Sequence, residues 1–69
     1  MNILPALIEA KLDTWTAAFS DDPSAQKRDD AAYANLLASQ TEYTDEEIGV
    51  FVGQLWNGEK TRADLGLSA

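Results

Sequence analysis

The side chains able to do chemistry in this chain are carboxylates, tyrosines, hydroxyls and a few amines; it holds no histidine and no cysteine. That removes the commonest general base, thiolate nucleophiles, disulfides and the usual zinc ligand sets. The acidic pairs Asp21-Asp22 and Asp29-Asp30 have the side chains that a divalent cation takes. On a helix, corresponding members would lie about two turns apart. That spacing matches neither a calcium loop nor two facing ligands. Asp21 and Asp22 read instead as helix caps, and Asp29 and Asp30 as solvated carboxylates. A bundle of 69 residues also leaves little room for a pocket of about 300 Å³ or more. No catalytic, cofactor-binding or metal-binding residues are expected.

A second constellation is Glu42, Asp45, Glu46 and Glu47, in a stretch from Ser39 to Asn57 that contains no Lys or Arg. Acids in a first helical turn are welcomed by the helix macrodipole. The same acids also form an edge to the apolar residues that follow. An apolar anchor rimmed by carboxylates suits a basic protein surface. The expected partner-binding residues are therefore Phe51, Val52 and Trp56 as anchors, with Glu42, Glu46 and Glu47 as the rim. Trp15 lies inside an apolar stripe and reads as core. Trp56 ends its helix and reads as interface, where Trp is enriched among binding hot spots.

The net charge is −7, from twelve acidic and five basic residues, with a pI near 4.1. Nucleic-acid binding works by neutralising phosphates with Lys and Arg. Direct binding to nucleic acid or to an anionic membrane is therefore not expected. Such acidity suits a basic protein partner, mimicry of nucleic acid, or plain solubility. No run of about twenty apolar residues appears. Met1-Asn2-Ile3-Leu4-Pro5 lacks a basic lead-in, with Glu9 and Lys11 soon after, so a cytoplasmic location is expected.

Two turn signals, Ser20-Asp21-Asp22-Pro23 and Ser39-Gln40-Thr41-Glu42, divide the chain into three helical segments. The first runs from about Ile3 to Phe19. Asn2 is a candidate cap, and Pro5 is tolerated in the first turn. Leu4, Ile8, Leu12, Trp15 and Phe19 recur every three or four positions, with Leu7 and Ala18 widening the stripe. The second runs from Pro23, capped by Asp22, to about Ser39, with a weaker stripe of Ala25, Ala32, Tyr33, Leu36 and Leu37.

The third segment has the sharpest start. Thr44 and Glu47 form a capping box, with Tyr43 and Ile48 placed as a hydrophobic staple. Ile48, Phe51, Val52, Leu55 and Trp56 follow the spacing i, i+3, i+4, i+7, i+8, and Asn57-Gly58 is a stop signal. Gly49 and Gly53 lie one turn apart, at roughly 1 kcal/mol each against Ala, a cost that invites a reason, the close approach of another helix being one. Ile48 and Leu55 are assigned to the core side, and Val52 and Trp56 to the contact side.

The tail contains a second box, Thr61-Arg62-Ala63-Asp64, able to start a helical turn whose Leu65 and Leu67 dock back. Thr44-Asp45-Glu46-Glu47-Ile48, followed by Leu55-Trp56-Asn57-Gly58-Glu59-Lys60-Thr61-Arg62-Ala63-Asp64-Leu65, resembles the first helix, turn and second-helix start of helix-turn-helix modules. The resemblance implies a similar helical turn. It departs from the pattern after Leu65, where only Gly66-Leu67-Ser68-Ala69 follows in place of a recognition helix and no basic face is present.

The expected fold is all-α: a small three-helix bundle with a short C-terminal helical turn, one domain over residues 1–69. Helix one is the central element, with the other two packed on it. The function expected is non-catalytic protein binding, as a small acidic inhibitor or adaptor. The alternatives are a structural subunit that forms a homodimer or larger assembly, and an acidic DNA mimic.

Overall fold

A computed structural model describes residues 3–67. Its order is α1 (Leu4–Ala18), α2 (Pro23–Ala38), α3 (Asp45–Trp56) and a 3₁₀ turn (Ala63–Leu65), with no strand among the described residues. The expected all-α bundle with a short C-terminal turn is what is observed.

Local chemistry accounts for most of the boundaries. Pro5 stands in the first turn of α1, where a missing N–H costs nothing. A cap from Asn2 lies outside the described residues. The α1 helix ends as the Ser20 N–H and hydroxyl both donate to the Ala17 carbonyl. Two residues on, the Asp22 carboxylate accepts the N–H groups of Ser24 and Ala25, starting α2 at Pro23.

The start of α3 is the full capping box. The Glu47 N–H donates to the Thr44 hydroxyl at 3.2 Å, and the Thr44 N–H donates to the Glu47 carboxylate at 3.0 Å. Gln40 braces the preceding loop: its side-chain N–H₂ donates to the carbonyls of Leu37 and Tyr43, and its side-chain oxygen accepts the Tyr43 N–H. At the other end, Gly58 takes a left-handed conformation (φ 80°). This lets the Glu59 N–H reach the Gln54 carbonyl and the Gly58 N–H reach the Leu55 carbonyl, the paired bonds of a Schellman stop.

Helix α1 packs against both α2 and α3. It runs in the same sense as α3: Lys11 meets Asp45 at the start of α3, while Trp15 and Phe19 meet Trp56 at its end. The core is Leu7 and Ile8 of α1, Tyr33 of α2, Ile48 and Val52 of α3, and Leu67 of the tail. The tail therefore docks back as expected, with Thr61 and Asp64 exchanging hydrogen bonds before the 3₁₀ turn. That turn ends at Gly66 (φ 76°).

Leu55, expected with the core, is half-buried and packs against it. Two assignments are corrected. Val52, expected on the contact side, has 0% of its surface exposed and lies in the core with Ile48. Phe19, expected inside the α1 stripe, is 78% exposed. It is the C-cap of α1 and keeps helical backbone angles, so it stays in line with Trp15 and meets α3 at the exposed Trp56.

Candidate functional site

The α1–α3 contact contains the molecule's main side-chain constellations. Lys11 and Trp15 of α1 and its C-cap Phe19 succeed one another at intervals of one turn. Gly49, Gly53 and Trp56 form the matching strip on α3. The reason for glycine is partly visible. A Cβ at Gly49 would stand 3.6 Å from Lys11 Cε, an ordinary contact, so the Lys11 stem lies across this position. At Gly53 a Cβ would meet nothing within 4 Å. Within this chain, Gly53 therefore lies open to approach.

At one end of the strip, the Lys11 Nζ donates to Asp45 Oδ1 at 2.7 Å and the Tyr33 hydroxyl donates to the same oxygen at 2.6 Å. The ammonium also sits 4.8 Å from the centre of the Tyr33 ring, within cation–π range. The Lys11 and Tyr33 bonds hold the Asp45 carboxyl below its usual range. Burial and the neighbouring Asp45 push the Tyr33 phenol upward, so the tyrosine stays neutral and keeps donating. One residue from each helix meets here, a pattern that fixes the bundle rather than presenting a reactive group.

At the other end the aromatic rings form a short ladder. Trp15 meets Trp56 edge-on, with centroids 5.9 Å apart and planes at 67°. Phe19 stacks on Trp56, with centroids 5.5 Å apart and planes at 24°. Exposure rises outward: Trp15 is half-buried, Trp56 is 43% exposed and Phe19 is 78% exposed. Rings at these separations attract one another beyond simple burial, which holds the exposed pair in a defined shape.

The expected binding residues are not brought together. Val52 is core and Phe51 is half-buried against it. Glu42, Glu46 and Glu47 are exposed, but they flank the N-terminus of α3 while Trp56 ends it. At 1.5 Å per residue, Glu46 is about 15 Å along the helix from Trp56. The acids do not rim the aromatic anchor. Glu47 is in addition committed to the Thr44 cap.

Among the expected anchors, Trp56 alone is exposed. Phe19 and Trp15 join it without having been anticipated as a site. The four-residue spacing of Lys11, Trp15 and Phe19, read against Gly49, Gly53 and Trp56, is the signal that pairs these strips.

An open recess of about 320 Å³ is lined by Pro5, Ala6, Glu9, Arg62, Gly66 and Leu67. It is larger than the sequence led one to expect. Its two charged groups, Glu9 and Arg62, form an ion pair with each other, and no hydroxyl or amine lines it. Asp13 nearby has its carboxyl raised by burial, then by the charges of Asp29 and Glu9. Asp29 is thus partly enclosed rather than solvated, while Asp30 is exposed. Among the described residues, no three carboxylates converge on a point where a metal ion would sit, and every buried side-chain polar atom has a partner. No helix among them is long and apolar enough to cross a membrane.

No family model, curated protein or solved structure matches the chain.

Proposed function

We propose that this chain is a non-catalytic protein-binding module, a small acidic inhibitor or adaptor that docks on a partner through the end of α3. The observation that carries this reading is the exposed, stacked pair Phe19–Trp56. Large aromatics are costly to leave in water and are the residue types that dominate binding energy at interfaces. Here they are preorganised by Trp15 behind them, so little side-chain freedom is lost on docking. The anchor is therefore Trp56 with Phe19, in place of Val52 and Phe51.

Chemistry finds little support in the side chains. The recess holds one carboxylate and one guanidinium, neutralising each other. The Lys11–Tyr33–Asp45 cluster is spent on holding the helices together.

The experiment is affinity capture with the purified chain as bait, beside a Phe19→Ser, Trp56→Ser variant. The variant should keep its helical circular dichroism and lose the captured partner. A folded variant that captures the same protein equally well places the interface elsewhere.

A further inference from the structure

Resting on the protein-binding reading above, we infer that the partner segment covering the Phe19–Trp56 edge is basic, with an arginine lying flat on the exposed ring of Phe19 and its charge received by Asp21 and Asp22.

Charge selects the occupant. Phe19 gives one face to Trp56 and its remaining surface is open. An aromatic face carries negative electrostatic potential and attracts a cation. The residues that follow Phe19 are Ser20, Asp21 and Asp22, all exposed. Among the described residues the ion pairs join Lys11 to Asp45, Arg28 to Asp29 and Arg62 to Glu9. None uses Asp21 or Asp22, although Asp22 accepts backbone N–H groups as a cap. On the Trp56 side, Glu59 and Lys60 are adjacent and offset each other, so the net negative charge lies on the Phe19 side. No Lys or Arg occurs from Leu12 to Gln26 or from Asp29 to Glu59.

A second copy is a poor occupant. It would bring another −7 of charge and the same acids against the same acids, and like charges brought together across an interface oppose association. Arginine suits the edge better than lysine. Its planar guanidinium stacks on a ring while its N–H groups pair with a carboxylate alongside, whereas an ammonium is a compact point charge without that geometry.

The test uses three end-blocked synthetic peptides of one Leu/Ala pattern carrying Arg, Lys or Gln at the same positions, titrated into the full chain by NMR. The Arg peptide should bind tightest and the Gln peptide weakest, with shifts centred on Phe19, Trp56 and the Asp21–Asp22 turn. Phe19→Leu keeps apolar bulk but removes the ring face. It should weaken the Arg peptide about 2- to 5-fold, the factor expected of an exposed cation–π contact. Asp21→Asn with Asp22→Asn keeps a capping side chain at 22 and should flatten the salt dependence.

Equal binding of the Arg and Gln peptides, no binding of any peptide, or an unchanged Phe19→Leu variant overturns the arginine assignment. So does a dimer in light scattering that dissociates on Phe19→Ser, which would make a second copy the occupant. The two proposals fail separately. If lysate capture still depends on Phe19 and Trp56, protein binding stands and only the cation is wrong. If capture is indifferent to both, the docking edge itself is wrong.

Discussion

Lys11 and Asp45 are 34 positions apart in the chain and meet at 2.7 Å. The Lys11 side chain is mostly buried beneath this contact, whereas that of Asp45 is 60% exposed. Because Tyr33 donates to the same Asp45 oxygen, a single carboxylate joins all three helices. It also holds the first residue of α3, and so sets where the aromatic edge at the far end of that helix comes to lie.

That carboxylate makes stability depend on pH. Its folded pKa is lowered, chiefly by the Lys11 bond and then by Tyr33. It therefore contributes stability that is fully present above its unfolded value, near 3.8, and lost as pH falls through the lower folded value. Asp45→Asn should melt earlier than the parent at pH 7, and the gap should close in strong acid. Denaturant midpoints across pH check this; a gap constant with pH would show that the Asp45 charge contributes nothing.

The cap on α3 should carry about 1 kcal/mol. Thr44→Ala removes the acceptor for the Glu47 N–H and should lower the denaturant midpoint without changing the helix count. An unshifted midpoint would mean that the box is not a source of stability.

Gly53→Ala should stabilise the chain, by up to about 1 kcal/mol of helix propensity, since its Cβ would meet nothing within 4 Å. Gly49→Ala should gain somewhat less, because its Cβ rests on the Lys11 stem. Thermal melts that fall for Gly53→Ala would show that this strip is closer packed than its geometry indicates.

Much of this architecture is legible in the sequence because it is decided locally. Thr44 with Glu47, Asp22 before Pro23, and Asn57 before Gly58 each satisfy or release backbone groups within a few residues, so their placement needs no tertiary knowledge. The site was harder to read for a geometric reason. A helical wheel shows that Val52 and Trp56 share a side but not where the neighbouring helix ends. Val52 lies in the core cluster with Leu7 and Ile8 and is engulfed, while Trp56, one turn further, packs on the rings of Trp15 and Phe19 and stays 43% exposed. Phe19 escaped for a related reason: as the C-cap of α1 it keeps helical angles and its place on the stripe, but the residue it meets is the exposed Trp56.

The same contrast predicts opposite outcomes for two substitutions. Val52→Asp puts an unpaired charge in the core beside Ile48 and Leu7 and should unfold the chain, whose small core leaves little margin. Phe19→Ser removes one exposed stacked ring and should cost no more than about 1.5 kcal/mol. Circular dichroism with urea titration separates them. A folded Val52→Asp would return that residue to the surface and undo the correction made for it.

The most direct test of the docking edge reads Trp56 itself. Trp15→Phe leaves Trp56 as the remaining indole, since the chain has two tryptophans, and keeps a ring behind it. Acrylamide quenching of this variant should be easy in the free chain, as befits a residue 43% exposed. It should fall sharply when the captured partner is added. A complex that forms while Trp56 stays as quenchable as before would contradict the account.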